Sequence, residues 1–208
     1  LASSATVYGD QPVQPVDEAI EVLPQAPYAV SKRAAEQYLF TIGQLAEFET
    51  VALRIFNAYG PGQSVPPSHS PVIPQFVLQT LGRGSLVVFG DGTQSRDYVY
   101  VDDVVTALAN AATAENVDRQ IINIGSGQET QLNDLIHLIG ETTNLRPNVL
   151  YNSEVSGGLD RLVADVSKAR KLLRYQPKID LAKGLGQFLA DDPAIQRAVS
   201  AGLYESTS

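Results

Sequence analysis

Apolar positions along the chain follow two different spacings. Short apolar runs at Leu1–Val7, Thr50–Phe56 and Ile121–Ile124 predict buried strands, since such runs are about four to eight residues long. The segment Tyr28–Phe48 instead carries apolar residues three and four positions apart, which predicts an amphipathic helix. These apolar residues include Ala34, Ala35, Tyr38, Leu39, Ile42 and Leu45. Strands that alternate with helices are typical of a parallel sheet joined by crossover helices.

The same two spacings predict the remaining elements. Helices are predicted over Val72–Leu81, Val104–Ala114, 130–142 and Ser167–Leu173. Short strands are predicted over Leu86–Phe89, Tyr98–Val101 and Val149–Tyr151. Asp102 or Asp103 is expected to cap the helix that begins at Val104, because a carboxylate can accept the first helical N–H groups. A loop is expected at Pro61–Ser70, and the chain after Asp192 is expected to be weakly ordered.

The candidate chemistry lies at the end of the first strand and the start of the long helix. Ser4 and Thr6 are two positions apart, so on a strand their side chains should point to the same face. Pro27 disfavours helix at the residue before it, and the helix should therefore begin at Tyr28. Lys32, four positions later, shares a helix face with Tyr28. An ammonium beside a phenol favours the phenolate, which is what a general base acting on an alcohol needs.

These residues also have an ordinary structural interpretation. A Tyr and a Lys four positions apart occur on many helix surfaces, so Tyr28 can be a half-buried tyrosine beside a solvated Lys32. Ser4 can be an ordinary strand serine. The pair alone therefore leaves both interpretations open.

Four further segments follow in order along the chain. They are Leu53–Gly62, Val88–Asp103, Ile122–Gly127 and Ala164–Ala169. Together with the Ser4 region and the Tyr28–Lys32 segment, they resemble the extended short-chain dehydrogenase/reductase superfamily. Within it, they are similar to the NAD-dependent nucleotide-sugar epimerases and dehydratases of the UDP-glucose 4-epimerase type. The resemblance runs from Leu1 to about Leu189.

The resemblance implies an α/β fold in two parts. The fold would be the carboxy-terminal part of a Rossmann-like doubly wound parallel sheet, with a smaller α/β substrate-binding domain. Residues 1–63 and 98–125 would form the remainder of the NAD-binding domain and carry the catalytic residues. Residues 64–97 and 126–190 would bind the nucleotide sugar, and 191–208 would form a tail. Family members commonly dimerise through the helix that carries the Tyr and the Lys, so a homodimer is expected.

The resemblance also implies a set of site residues. Ser4, Tyr28 and Lys32 match the catalytic residues, with Tyr28 as the base and Lys32 also holding the nicotinamide ribose of NAD. Phe56 matches a position beside the cofactor. The residues that match substrate contacts are Ser4, Thr6, Asn57, Val72, Phe89, Arg96 and Arg161.

Three of these residues are expected at the substrate diphosphate. Arg96 is the expected main anchor, because a guanidinium can grip phosphate oxygens with two parallel donors. Arg161 is the expected second contact, and Asn57 is expected to donate to the same group. Val72 and Phe89 would pack around the nucleotide base. The alternatives are a surface arginine that pairs with Asp97, and plain core positions for the apolar residues.

The residues after Ser4 bear on the reaction. In the related 4,6-dehydratases and glucuronate decarboxylases, this strand carries acidic residues that serve the chemistry after the first hydride transfer, whereas here Ala5 and Thr6 follow. Epimerisation needs only a base, a hydride acceptor and room for the ketone to turn over. The sequence favours an NAD-dependent UDP-hexose 4-epimerase, acting on UDP-glucose and UDP-galactose or their N-acetylated forms. The alternatives are a dehydratase, decarboxylase or reductase of the same superfamily, and a non-catalytic nucleotide-sugar binding module.

Composition argues against several other classes. A net charge of −8 over 208 residues disfavours general nucleic-acid or membrane-surface binding, so an anionic ligand needs a local cationic cluster. The chain has no cysteine, and His69 and His137 are too isolated for a usual metal site. No apolar run approaches the ~18 residues needed to span a bilayer. We expect no nucleic-acid, membrane or metal partner, and a cytoplasmic location.

A glycine-rich dinucleotide-binding turn does not occur in this chain. The nearest glycine pair, Gly125 and Gly127, follows a predicted strand but lies late in the chain, where the resemblance implies a different loop. Methionine is absent, including at position 1. We therefore expect the adenosine half of the NAD site, and the amino-terminal part of the protein, to lie outside this chain.

Overall fold

The computed structural model describes residues 1–66, 70–155 and 158–200. Its strands are β1 (Ala2–Ser4), β2 (Val51–Ile55), β3 (Asn57–Tyr59), β4 (Ser85–Phe89), β5 (Ser95–Arg96), β6 (Tyr98–Tyr100), β7 (Gln120–Ile124), β8 (Thr130–Gln131), β9 (Asn148–Asn152) and β10 (Arg161–Leu162). Its helices are α1 (Pro27–Ala46), α2 (Val72–Leu81), α3 (Val101–Thr113), α4 (Leu132–Thr143), α5 (Ser167–Leu173), α6 (Leu181–Asp191) and α7 (Pro193–Ala198). A 3-10 helix spans Ala5–Tyr8. The chain forms two compact units.

The first unit is built on a parallel sheet. It comprises Leu1–Ala58, Ser95–Glu129 and Leu159–Lys178. The sheet has the order β1-β2-β7, and β10 pairs in parallel with β5. Because β2 is the central strand of the sheet, its three middle residues are all buried, as expected for a strand covered on both faces. The α/β fold class with parallel sheets is confirmed.

Side-chain alternation along β2 separates two environments. Leu53 belongs to the main apolar cluster, together with residues of α3 and α5 such as Ala107 and Leu173. Arg54, the next residue, points to the opposite face of the sheet and bonds to a side chain of α1. The sheet is therefore covered by α3 and α5 on the Leu53 side and by α1 on the Arg54 side.

The outer edge of β7 is closed by two loop segments. Val16 forms a parallel bridge with Ala164, through Val16 N–H to the Val163 carbonyl (2.9 Å) and Asp165 N–H to the Val16 carbonyl (2.9 Å). The main-chain N–H of Asn123 in β7 donates to Oε1 of Glu18 (2.7 Å). The outward N–H of Asn123 is thus satisfied by a protein side chain.

The second unit comprises Tyr59–Gln94, Thr130–Gly158 and Ile179–Ser208. In its described part, β4 pairs in parallel with β9, α2 packs on α4 and β4, and α6 packs on α4 and α7. The buried residues on these helices include Ile73, Phe76, Leu135, Ile139, Leu185 and Phe188. One face of the two-stranded sheet leaves Val87, Phe89 and Leu150 exposed.

Several predicted elements agree with the structure. Helices α2 and α5 have the predicted bounds, and the predicted strand at Ile121–Ile124 is β7 of the main sheet. The predicted helix from Tyr28 begins one residue earlier, with Pro27 in its first turn, where the missing proline N–H costs nothing.

Other predicted elements were wrong at their ends. The first strand stops at Ser4, because the next four residues fold into the 3-10 helix. Asp102 and Asp103 do not cap α3 but lie in its first turn, and Asp103 accepts the N–H of Lys178 through both oxygens.

The expectation that the chain after Asp192 is weakly ordered was wrong for Pro193–Ala198, which forms α7. Asp192 caps α7 by accepting two N–H groups, and Ile195 is buried, so this segment is ordered by a cap and an apolar contact. Helix α6 was not predicted at all. Residues 201–208 of the expected tail lie outside the described residues.

The division into two units differs from the expected domains in one long segment. Leu159–Lys178 was expected in the substrate-binding domain but belongs to the first unit. The reason is its pairing, since β10 joins β5 and α5 packs on β7 and α3. Residues 95–97 and 126–129 also belong to the first unit, and residues 59–63 belong to the second.

No helix in the described ranges combines the length and the apolar character needed to cross a membrane.

The amino end of α6 provides a test of the second unit. Asp180 caps the helix by accepting the N–H of Lys183 (2.8 Å). We expect Asp180→Ala to lower the free energy of unfolding by about 1 kcal/mol, because an orphan helical N–H loses its acceptor. Thermal or denaturant unfolding would measure it. Asp191→Ala, at the other end of the same helix, is the matched control and should change stability by less than about 0.5 kcal/mol. Equal effects of the two variants would contradict the capping role.

Candidate active site

The hydroxyl cluster lies where β1 ends. Ser4 is the last residue of the strand and caps the 3-10 helix, and its Oγ accepts from Thr6 N–H (3.3 Å) and from Thr6 Oγ1 (3.0 Å). The two hydroxyls were expected to meet because strand side chains alternate, and that reason was wrong. They meet because the chain turns after Ser4. Ser4 is nearly buried, while Thr6 is exposed.

Tyr28 and Lys32 lie on the first two turns of α1. Tyr28 is 55% exposed, and Nζ of Lys32 lies 5.6 Å from the centre of its ring. The same Nζ donates to the Ala2 carbonyl of β1 (2.9 Å). Helix α1 also packs against β1 and the 3-10 helix. The structure therefore brings the amine beside the phenol, and fastens α1 to the strand that ends in Ser4.

A buried ion pair holds α1 against the sheet. Glu36 lies four residues after Lys32 and is fully buried, and Arg54 of β2 is 2% exposed. Arg54 donates to both carboxylate oxygens of Glu36, from Nε and Nη2, each at 2.9 Å. Ser3 Oγ donates to Glu36 Oε1 (2.6 Å), and Arg33 Nη1 to Oε2 (3.0 Å). One carboxylate thus joins α1, β1 and β2.

The ion pair sets the protonation of its members. Burial would raise the pKa of Glu36, but the hydrogen bonds from Arg54 and Ser3 outweigh it and hold the pKa below its ordinary value of 4.5. The guanidinium of Arg54 also lies over the ring of Tyr8, 4.7 Å from its centre. Burial raises the pKa of Tyr8 to about 12, so this phenol stays protonated, and its hydroxyl donates to Asn123 Oδ1 (2.6 Å).

Two of the expected diphosphate residues lie on neighbouring segments of the first unit. Arg96 is half-buried, and its Nη1 donates to the Ser95 carbonyl (2.7 Å). Burial lowers the pKa of Arg96, an effect that Tyr98 and Asp160 oppose. The N–H of Asn57 donates to the Asp97 carbonyl (3.1 Å).

The alternative in which Arg96 is a surface residue paired with Asp97 is wrong. The Asp97 carboxylate is fully buried and accepts instead from Ser126, Gly127 and Ala164.

Arg161 has a partner of its own. Its Nε and Nη2 donate to the two carboxylate oxygens of Glu129 (2.8 and 2.6 Å), and Ser95 Oγ donates to the same carboxylate (2.6 Å). These contacts hold the pKa of Glu129 below its ordinary value, with the Arg161 hydrogen bonds as the main cause. A phosphate at Arg161 would have to use the remaining N–H groups of the guanidinium or displace Glu129.

The expected apolar contacts divide between core and surface. Phe56 is 4% exposed and packs near Tyr8, with ring centres 6.4 Å apart, so its side chain belongs to the core of the first unit. In the second unit, Val72 is half-buried at the start of α2, and Phe89 is 46% exposed at the end of β4. The cofactor and base contacts of these residues stay predictions.

Two residues at the centre of these contacts were missed in the sequence. Glu36 could have been noticed, because it continues the four-residue spacing of Tyr28 and Lys32 on the face of α1 that meets the sheet. In the sequence, Asp97 had a place only as the alternative partner of Arg96, and no pattern indicated that it is buried.

Metal-binding groups are sparse. Across residues 1–66, 70–155 and 158–200, no group of three or more His, Cys, Asp or Glu side chains could hold a metal ion. His137 pairs with Glu141 on the exposed side of α4 (3.3 Å), and His69 lies outside the described residues.

Comparison with known proteins identifies the family. Residues 1–125 match the NAD dependent epimerase/dehydratase family. The chain belongs to this family. The matched residues contain Ser4, Tyr28 and Lys32, the buried ion pair and the Asp97 region.

Three relatives illustrate the range of the family. The UDP-glucose 4-epimerase of Mycolicibacterium smegmatis is 33% identical over 89% of this chain and 59% of its own length. The UDP-glucuronic acid decarboxylase 1 of Xenopus tropicalis is 32% identical over 90% of this chain and 45% of its own length. The UDP-glucuronic acid 4-epimerase of Bacillus cereus, solved with UDP-glucuronic acid and NAD, is 29% identical with a TM-score of 0.84, covering 94% of this chain and 60% of that one. The chain thus spans about 59% of the length of the Mycolicibacterium smegmatis enzyme.

The buried ion pair generates a stability test. We expect Glu36→Gln to lower the free energy of unfolding by about 3 kcal/mol or more, because Arg54 would stay buried without its counter-charge. Denaturant unfolding would measure it. Arg33→Gln is the matched control, since Arg33 contacts the same carboxylate but is one-third exposed, and it should cost less than about 1 kcal/mol.

The same pair predicts a pH dependence. Because the pKa of Glu36 is lowered by folding, its contribution is present above the unfolded pKa near 4.5 and is lost as pH falls through the folded value. The stability difference between the wild type and Glu36→Gln should therefore shrink as pH falls from about 5 through the lowered pKa of Glu36. A difference that stays constant over this interval would contradict the ionised state of Glu36.

Proposed function

We propose that this protein acts as an NAD-dependent UDP-hexose 4-epimerase, with Tyr28 as base, Lys32 as its cationic partner and Ser4 as the bridging hydroxyl. The observation that carries the proposal is the double attachment of α1. Lys32 bonds to β1 beside the phenol, and Glu36 joins the same helix to β1 and β2. The phenol therefore stands on a helix that is fastened to the strand ending in Ser4.

The residues present fit the nicotinamide half of NAD. Lys32 has three N–H donors, of which one bonds to Ala2, so the amine can also hold ribose hydroxyls beside Tyr28. The 55% exposure of Tyr28 leaves its ring open to a cofactor and a sugar. When bound, NAD supplies the acceptor for the C4 hydride and the donor that returns it.

Side chains of the protein carry out the proton transfer. Tyr28, as phenolate, takes the proton of the hexose 4-hydroxyl while the C4–H bond breaks, and the C4–O bond becomes a ketone. Ser4 Oγ bridges the sugar oxygen and the phenol. Tyr28 then returns the same proton to the oxygen after the 4-keto sugar has turned over. Lys32 holds its positive charge beside the ring of Tyr28, with Nζ 5.6 Å from the ring centre.

The turn after Ser4 favours epimerisation over elimination or decarboxylation. Ala5 and Thr6 have no carboxylate for a second chemical step. Ala5 is also buried, and the hydroxyl of Thr6 is bonded to Ser4. The second candidate is a decarboxylase or another member of the superfamily. The similarity to the Xenopus tropicalis decarboxylase supports this candidate.

The diphosphate and the base of a nucleotide sugar require different groups. In the first unit, Arg96, Arg161 and Asn57 supply donors for the diphosphate. In the second unit, the exposed ring of Phe89 and the half-buried Val72 suit a nucleotide base.

The exposed face of α1 supports a homodimer, which is part of the proposal. Tyr38, Ile42 and Leu45 of α1 are 71%, 49% and 79% exposed and recur at helical spacing, forming an apolar stripe on the protein surface. The expected cytoplasmic location stays a prediction.

The reaction can be tested with the complete gene product. We expect incubation with NAD and UDP-glucose to give UDP-galactose, and the reverse, followed by NMR. UDP-N-acetylglucosamine and UDP-glucuronic acid should be run in parallel, because relatives act on different UDP sugars. Accumulation of a 4-keto or a decarboxylated sugar would overturn the epimerase in favour of the second candidate. Tight UDP-sugar binding without any product would indicate a binding module.

The base can be tested with one substitution. We expect Tyr28→Phe to lower kcat by about 10²–10⁴-fold, because the proton acceptor is lost, while UDP affinity is retained. Steady-state kinetics and calorimetric titration with UDP would separate the two effects. Tyr38→Phe, ten residues later on the same helix, is the matched control and should leave kcat within about twofold. Substantial turnover by the Tyr28→Phe protein would remove Tyr28 from the role of base.

A further inference from the structure

Asp97 is a buried carboxylate surrounded by donors from two other segments. Its side chain is fully buried. Oδ1 accepts from the N–H of Ser126 (2.7 Å) and from Ser126 Oγ (2.6 Å), and Oδ2 accepts from the N–H groups of Gly127 (2.9 Å) and Ala164 (3.2 Å). Four donors on one carboxylate leave little freedom to the side chain or to the loop that it holds.

The main chain of Asp97 is also fully used. Its carbonyl accepts the N–H of Asn57 (3.1 Å), and its own N–H donates to the Leu162 carbonyl (3.1 Å). Asp97 therefore connects the strand that carries Arg96 to Asn57 and to the strand that carries Arg161. These three residues are the ones proposed for the substrate diphosphate.

Side-chain alternation explains why Asp97 is placed to do this. Residues 95 and 97 of an extended segment point to one side and residue 96 to the other. Ser95 and Asp97 hold the two ends of the loop 125–129, since Ser95 Oγ bonds to Glu129 and Asp97 bonds to Ser126 and Gly127. The Arg96 side chain is left on the opposite side.

The loop is packed closely against the carboxylate. A Cβ added at Gly125 would lie 2.5 Å from Asp97 Oδ2 and 2.8 Å from Ala164 Cβ, so a larger residue would displace one of them. The carbonyl of Gly125 also accepts from the buried hydroxyl of Tyr175 (2.9 Å). The loop and Asp97 thus fit together in one arrangement.

We propose that Asp97 is the positioning residue of the diphosphate site, which fixes Asn57, Arg96 and Arg161 in place for the pyrophosphate of the substrate. The proposal rests on the proposed function of these three residues. Asp97 acts through its neighbours, because its own carboxylate is occupied by four donors and repels phosphate. Its loss should therefore weaken nucleotide binding, and leave the chemistry at Tyr28 largely unchanged.

The test is Asp97→Asn in the complete gene product. The amide presents an NH₂ group where the carboxylate has its second oxygen, so two of the four N–H and O–H donors face another donor. We expect the Kd for UDP, measured by calorimetric titration, to rise at least tenfold. KM for the UDP-hexose should rise by a similar factor, while kcat changes less than about threefold. Arg96→Ala is the control for direct loss of a phosphate contact and should raise the same Kd.

The outcomes separate the inference from the proposed function. If the wild type binds no UDP, the proposed diphosphate site fails and the inference with it. If the wild type binds UDP and Arg96→Ala weakens it while Asp97→Asn does not, the site stands and the positioning role is overturned. A fall in kcat with unchanged KM would assign Asp97 to general folding and would also overturn it.

A second variant keeps the test decisive if Asp97→Asn fails to fold. Ser126→Ala removes a single donor from the carboxylate, the 2.6 Å contact from Oγ, and leaves the Ser126 N–H in place. We expect about a threefold rise in the Kd for UDP with little change in kcat. Unchanged affinity in this folded variant would count against the proposal.

Discussion

The arrangement of the helix that carries Tyr28 and Lys32 depends on one interaction, the buried ion pair of Glu36 and Arg54. Burying two charges is costly, and the cost is offset only when geometry and additional hydrogen bonds are favourable. Here two parallel N–H groups of Arg54, the Ser3 hydroxyl and the one-third exposed Arg33 meet one carboxylate. Because the pair joins α1 to two adjacent strands, the orientation of Tyr28 and Lys32 follows from it.

The two buried carboxylates of the first unit are stabilised in different ways. Glu36 has a cation, and its pKa is lowered. Asp97 has only neutral donors, and burial raises its pKa against the hydrogen bonds from Ser126, Gly127 and Ala164. A charge pair fixes the direction of a helix, whereas a set of main-chain N–H groups fixes the path of a loop. The protein uses the first at the proposed proton-transfer residues and the second at the proposed phosphate residues.

Several elements, and the proximity of Lys32 to Tyr28, could be predicted because both depend on local spacing. The apolar periodicity of α2 and α5 predicted their bounds correctly. The four-residue spacing of Tyr28 and Lys32 predicted a shared helix face, and the contact of Lys32 Nζ with the Tyr28 ring agrees with it. The turn after Ser4 and the membership of Leu159–Lys178 in the first unit depend on pairing with distant segments, which no local pattern records. The partners of Arg161 and Asp97 are hidden for the same reason.

The covered edge of β7 has a consequence for the behaviour of the protein at high concentration. An open strand edge is a template on which another chain can add a strand, and this is a common route to aggregation. Here Glu18 occupies the N–H of Asn123, and Val16 bridges to Ala164 along the same border. The Glu18 carboxylate and the Val16 segment therefore occupy part of this border, and leave fewer main-chain groups open to intermolecular β-pairing.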